Sequence, residues 1–270
     1  MPTFKHDGIE FNYKVDGEGI PFLYLHGLGD TLEIAFNSYK RTEGIKLIAL
    51  DQRGHGNSGH DFTSMNFCKL AGDAVALMNY LGITKFYVGG LSMGAGVALN
   101  IAIHEPKRVL GLILLRSSST DEPMKEEVRH WFSTVSKYLP KKNGKQLFKE
   151  DPLFHSIKEA CPRAIETFTR YFEDTASVRY FQKFLDMPND SPIKNKEELA
   201  YLSIPVLILS NKYDVIHPIE YSLFYKENIK NATYFELTPK TINAERHKQE
   251  LDTYINNFII ENEKRFYCKV

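Results

Sequence analysis

The chain has little cysteine: Cys68, Cys161 and Cys268 are widely spaced among 270 residues. Three thiols leave one unpaired and form no Cys-x-x-Cys metal site, which favours a reducing compartment over a disulfide scaffold. Net charge is missing as well. The 34 lysines and arginines balance the 34 aspartates and glutamates, and no block of one sign occurs. That removes the electrostatic case for nucleic acid or an anionic membrane as a partner. No apolar run is long enough to span a bilayer. Met1 to Gly8 lack the apolar stretch of a secretory signal, so the expected location is the cytoplasm. There is no internal repeat and no low-complexity tract. The length fits one α/β domain with a small insert and a large core.

What the chain does have is Gly90-Leu91-Ser92-Met93-Gly94. The apolar run Phe86-Tyr87-Val88-Gly89 precedes it and the small-residue helical run from Ala95 to Ala102 follows. Strand, sharp turn and helix are the context in which Gly-x-Ser-x-Gly presents a nucleophile. The small flanking residues let strand and helix backbones approach closely, and the helix aims its first N–H groups at developing negative charge. A serine hydroxyl still needs a base, oriented by a third group. The buried strand Ile204 to Leu209 runs into a loop carrying Asp214, at the strand end where open α/β sheets place their sites. Thr233 to Leu237 reads as a further strand, followed by a loop carrying His247 and then a helix from Leu251 to Ile260. His217, three residues after Asp214 and just before Pro218, competes for the base; a loop turn for Asp214 and a helix-start position for His247 are the plainer alternatives.

Two other loops carry polar residues in patterns. The strand Pro21 to Leu25 ends in His26-Gly27-Leu28-Gly29-Asp30, and the strand Lys46 to Leu50 ends in Asp51-Gln52-Arg53-Gly54-His55-Gly56-Asn57-Ser58. His26 reads as a loop buttress, Asp30 as a solvated acid, and Arg53 with His55 as ties between neighbouring loops. The second loop lacks the Gly-x-x-x-x-Gly-Lys pattern of a phosphate cradle.

In order and spacing, these landmarks resemble the α/β-hydrolase superfamily, in its compact serine-nucleophile branch. The Leu-Ser-Met elbow and the Asp-Gln-Arg-Gly-His-Gly-x-Ser loop look most like 3-oxoadipate enol-lactonases and cofactor-free haloperoxidase-like esterases. Ser92 argues against haloalkane dehalogenases and epoxide hydrolases, which carry aspartate there. The resemblance implies a mostly parallel eight-stranded sheet with helices on both faces and a helical lid after the sixth strand. It implies the chain order serine, acid, histidine, hence Ser92, Asp214 and His247, with the Leu28 and Met93 N–H groups as the oxyanion hole. Two positions depart from the pattern: Arg246 replaces the glycine usual before the histidine, and Thr31 to Phe36 lack the usual tryptophan.

The layout expected is a core of residues 1–116 and 202–270 and a lid of 117–201. Ile9 to Val15 begin a leading hairpin turning at Asp16 to Gly19, Phe67 to Leu81 form a helix, and helical patterns run from Ala164 to Met187. The insert is rich in aromatics, among them Trp131, Phe132, Phe168 and Tyr171. Most of these should pack the lid down, and the rest should line an apolar pocket. The expected activity is hydrolysis of a small or medium apolar carboxylic ester through an acyl-enzyme, with no metal or organic cofactor. A lactonase or C–C bond hydrolase with the same triad is the alternative, and a non-catalytic receptor on this fold is a further one.

Overall fold

A computed structural model describes residues 1–267; Cys268 lies outside them. Eight strands form one sheet: β1 (Thr3–His6), β2 (Ile9–Asp16), β3 (Ile20–Leu25), β4 (Ile45–Leu50), β5 (Phe86–Leu91), β6 (Val109–Leu115), β7 (Val206–Ser210) and β8 (Ala232–Glu236). Their order is β1-β2-β4-β3-β5-β6-β7-β8. The β1–β2 and β2–β4 pairs are antiparallel and the rest are parallel. Every residue of β5 and β7 is buried. Continuous apolar runs such as Val206-Leu207-Ile208-Leu209 therefore reflect a parallel sheet covered on both sides rather than an alternating half-exposed strand.

Helices supply that cover. On one face lie α2 (Phe67–Tyr80) and α3 (Met93–His104), on the other α1 (Glu33–Ser38) and the long α11 (Ala244–Tyr267). In α2 the buried set Leu70, Ala74, Leu77 and Met78 follows helical spacing. Its start is fixed by Asn66, whose side chain accepts from the Lys69 N–H at 2.8 Å. α10 (Ile219–Asn228) connects β7 to β8.

Between β6 and β7 the chain forms two short 3-10 helices (Met187–Asn189 and Lys196–Tyr201), no strand, and six α-helices: α4 (Glu126–Tyr138), α5 (Gly144–Glu150), α6 (Pro152–Ala160), α7 (Pro162–Tyr171), α8 (Thr175–Arg179) and α9 (Lys183–Asp186). α6 and α7 each open on a proline, whose missing N–H would be unpaired at that position in any case. The helical pattern expected from Ala164 to Met187 is broken twice. One break is at Asp174, whose side chain accepts from the Ser177 N–H at 2.7 Å and starts α8 afresh.

Two expectations are corrected here. The strand Ile9–Asp16 does not pair with the strand that follows it. It makes its hairpin with β1 through Asp7-Gly8 and lies beside β4, with β3 beyond. The last helix begins at Ala244 rather than near Leu251, because Asn243 caps it: its side chain accepts from the Arg246 N–H at 2.9 Å. That earlier start takes His247 out of the loop.

Candidate active site

Ser92 sits between the end of β5 and the start of α3 with φ 58° and ψ −119°, a left-handed backbone that a side chain adopts only under constraint. The constraint is packing. A methyl group at Gly94 would run into the Leu25 carbonyl oxygen, and one at Gly90 into the Gly94 backbone. Only glycine at both positions lets β5, β3 and α3 meet this closely. The Ser92 N–H donates to the Leu115 carbonyl at 3.0 Å, tying the turn to β6.

The imidazole beside Ser92 belongs to His217. Its Nε2 lies 2.8 Å from Ser92 Oγ, and its Nδ1 lies 2.9 Å from Asp214 Oδ2. The His217 backbone N–H donates to the other carboxylate oxygen, Oδ1, at 3.0 Å. One aspartate thus holds both the main chain and the ring of the residue three positions on, which fixes the ring's direction. With Nδ1–H donating to the carboxylate, Nε2 is left as an acceptor for the Ser92 hydroxyl. Burial would raise the Asp214 carboxyl, but His217 and the Arg116 guanidinium hold it well below the usual carboxylate range. Arg116 Nη1 is 3.3 Å from Asp214 Oδ2.

His247 is not in this constellation, and its assignment as the base is corrected. It stands on the first turn of α11, 2 % exposed, with Nδ1 bonded to the Thr238 carbonyl at 2.8 Å. Burial, with the nearby Lys240 and Arg116 charges, pushes its pKa down to about 4. The loop after β8 that was expected to carry the base instead sends Pro239, Lys240 and Thr241 to the site. The signal for His217 was in the sequence as Asp214-x-x-His217-Pro218; it loses weight only if acid and base must come from separate loops.

A cavity of about 260 Å³ opens over Ser92, bordered by Gly27, Leu28, Asp214 and His217. Leu28 lines it and its carbonyl accepts from the Tyr171 hydroxyl at 3.0 Å. Met93 is the first residue of α3, so its N–H has no acceptor within the helix. Of the insert's aromatics only Phe132 and Tyr171 reach the cavity, and its wall carries Asp30, Arg116, Arg163, Arg170 and Lys240. The expected apolar lining is therefore corrected to a mixed, cationic one. Asp30 is not simply solvated: it pairs with Arg170 at 3.0 Å. A larger groove of about 1000 Å³, near Lys230, Tyr254 and Arg265, lies apart from Ser92, Asp214 and His217.

Of the surrounding loop residues His26 and Arg53 bridge as expected, whereas His55 bonds within its own loop, its Nδ1 lying 3.0 Å from the Arg53 carbonyl. The Gln52 N–H donates to His26 Nε2 at 3.0 Å, and His26 Nδ1 lies 2.8 Å from the Gly27 carbonyl. Arg53 grips Asp73 with two bonds of 2.7 and 2.8 Å. Asp51 accepts from the Leu32 N–H, the Asn12 amide and the Asn57 N–H, so one buried carboxylate organises three segments behind the site.

A covered, mostly parallel sheet with a strained serine at a strand–helix elbow, bonded to a histidine that an aspartate holds, places the chain among the α/β proteins built on such an elbow. The chain belongs to the alpha/beta hydrolase fold family, which it matches over residues 20–240. It is 26 % identical over 240 residues to the AB hydrolase superfamily protein YisY of Bacillus subtilis, covering 83 % of this chain and 84 % of that one. It is 35 % identical over 111 residues to the dihydrolipoyllysine-residue acetyltransferase component of the acetoin cleaving system of Cupriavidus necator; that match covers 40 % of this chain and spans only 30 % of the relative's length. Among solved structures, a thermophilic esterase from Thermogutta terrifontis superposes with a TM-score of 0.70 at 23 % identity, covering 94 % of this chain and 96 % of that one. No helix among the described residues is long and apolar enough to cross a membrane.

Proposed function

We propose that the protein is a serine hydrolase that cleaves a small carboxylic ester or lactone. The observation that carries this is the continuous chain of hydrogen bonds from Ser92 Oγ through His217 to Asp214, at 2.8 and 2.9 Å, at the end of the sheet where this fold puts its chemistry. Ser92 Oγ attacks the carbonyl carbon while His217 Nε2 takes its proton. Asp214 stabilises the imidazolium that results and keeps the ring in the productive tautomer. The N–H groups of Leu28 and Met93 hold the oxyanion, each contributing roughly 3 kcal/mol. Collapse of the tetrahedral intermediate breaks the bond to the leaving alkoxide, which takes the proton from His217. Water, activated by the same histidine, then attacks the acyl-enzyme and releases the acid.

In this reading residues 117–201 form a lid, residues 1–116 and 202–270 form the core, and α4 and α7 close the cavity over Ser92, excluding water. The small cavity favours short acyl chains. A C–C bond hydrolase needs the same three residues and is separated by substrate alone. The test is a panel of aryl esters and lactones of graded size, with active-site labelling by a fluorophosphonate. Turnover with labelling at Ser92 supports the reading; labelling at another serine, or binding without turnover across the panel, overturns it.

A further inference from the structure

The charges lining the Ser92 cavity do not balance. Asp30 is matched by Arg170 at 3.0 Å, and Asp214 by Arg116 at 3.3 Å, because His217 is neutral when its Nε2 accepts from Ser92. That leaves Arg163 and Lys240 in the lining, together with Arg116, whose one carboxylate contact is the long one to Asp214. Among the described residues, neither Arg163 nor Lys240 has a carboxylate within ion-pair distance. Arg116 reaches only Asp214, at 3.3 Å, and its buried Nε has no partner at all. A buried guanidinium N–H without an acceptor is costly and calls for one.

The three cations come from three elements: Arg116 from the end of β6, Arg163 from the first turn of α7, and Lys240 from the loop after β8. Their convergence is thus a product of the fold rather than of one basic helix. The chain as a whole is neutral, so the excess is local. Arg116 has φ 45°. Among the described residues five non-glycines have left-handed backbone, and Ser92, Arg116 and Tyr213 of these line this cavity. Strain of this kind concentrates where a side chain must be aimed. Leu28, Phe132 and Tyr171 add apolar surface to the same lining.

We propose that Arg116, Arg163 and Lys240 form a carboxylate-binding subsite beside Ser92, so that the substrate is a short ester or lactone carrying a free carboxylate. Guanidinium and ammonium groups together suit that anion: the fork of an arginine takes two oxygens and the lysine supplies a point charge. Like charge is crowded in the cluster: burial and then the Arg116 and Arg163 charges push the Lys240 amine down to about 8. A carboxylate would relieve the crowding of like charge. The cavity volume of about 260 Å³ lies near the small end of ligand sites, which limits the spacer between carboxylate and scissile carbonyl to a few carbons.

For its reaction, though not for its binding, the proposal rests on the hydrolase reading, so the experiment has two arms. In the first, kcat/KM is compared for monomethyl glutarate and dimethyl glutarate. The half-ester should be preferred by about tenfold or more, the worth of one hydrogen bond to a charged group. Lys240→Met and Arg163→Met should each erase most of that preference through KM, and Lys240→Arg should restore it. Equal or reversed preference in the wild type, or an unchanged ratio in both methionine variants, overturns the subsite. In the second arm, glutarate binding is measured by calorimetry. Binding weakened about tenfold in Lys240→Met, as expected for one charged contact, supports the subsite even if neither ester is cleaved and the hydrolase reading falls. Absence of glutarate binding, or tighter binding of inorganic phosphate, overturns it. Arg163 is exposed, so Arg163→Met keeps the test decisive should Lys240→Met fail to fold.

Discussion

Replacing each of two histidines by alanine separates chemistry from architecture. In His217→Ala, Ser92 loses its only proton acceptor at 2.8 Å and Asp214 loses the ring it holds. Removing the base of such a unit typically costs about 10³-fold or more in kcat, so aryl-ester turnover should fall by at least that factor. The His217 side chain is 14 % exposed at the cavity wall, and the loss of its ring should change stability by about 1–2 kcal/mol. His247→Ala should do the reverse. It removes a buried ring and the bond to the Thr238 carbonyl, and a buried hydrogen bond with its cavity is worth about 1–3 kcal/mol. Turnover should stay within a fewfold, because His247 does not line the cavity.

The same pair differs in pH dependence. The folded-state pKa of His247 is about 4, below its usual value of 6.5, so the unfolded chain binds a proton that the folded one refuses between those limits. Stability contributed by a neutral His247 is therefore complete above pH 6.5 and lost as pH falls toward 4, by roughly 3 kcal/mol at most. Urea unfolding at pH 7 and pH 4.5 should show a smaller acid loss in His247→Gln than in the wild type. An active His217→Ala alongside a well-folded, inactive His247→Ala would refute the whole assignment.

Ser92→Ala should fold normally, lose about 10³-fold or more of esterase activity, and escape fluorophosphonate labelling, as checked by intact mass. Asp214→Asn should keep the fold and lower turnover by about 10⁴-fold, because an amide presents the wrong partner to His217 Nδ1–H; near-normal rates would send the search for the acid elsewhere. Lys183 is fully buried on α9, donates to the Gly54 carbonyl at 2.7 Å, and is pushed down to about 7 by burial. Its folded pKa lies below the unfolded value of 10.5, so wild-type stability should rise between pH 7 and 10.5 by up to about 1.4 kcal/mol per unit, and Lys183→Met should flatten that rise in chemical denaturation.

Much of the fold was legible because its signals are local. Val109 to Leu115 is a strand to the residue, and Phe67 to Leu81 is a helix within one position. Apolar periodicity and an Asn cap act over a single turn or strand, where sequence is explicit. The elbow was legible for the same reason: the glycines that permit it, Gly90 and Gly94, flank Ser92 within two positions. The pairing of β2 with β4 was not, since a strand followed by a Gly-rich turn reads equally well as a hairpin or as an edge strand that skips its neighbour. The cationic cavity was not legible either. Arg116, Arg163 and Lys240 are separated by 47 and 77 positions, and only the folded sheet brings them to one wall.

The misplaced base has a more specific physical cause. What the chemistry needs is an imidazole nitrogen at Ser92 and a carboxylate at the other nitrogen; it does not need the two to come from different loops. β5, β6 and β7 are neighbours in the sheet, so a loop leaving β7 need cross only the end of β6 to reach the elbow after β5. Asp214 makes that crossing rigid by accepting from both the backbone and the ring of His217, a closed unit within four residues. With Asp214 and the histidine beside Ser92 on one loop, the loop after β8 need bring no histidine to Ser92. In this chain it brings Lys240 to the cavity while Asn243 starts α11 early and buries His247 beneath it. The relocation of the base and the positive charge of the pocket are in this sense one structural event, and the activity ratio between half-ester and diester reads the second half of it directly.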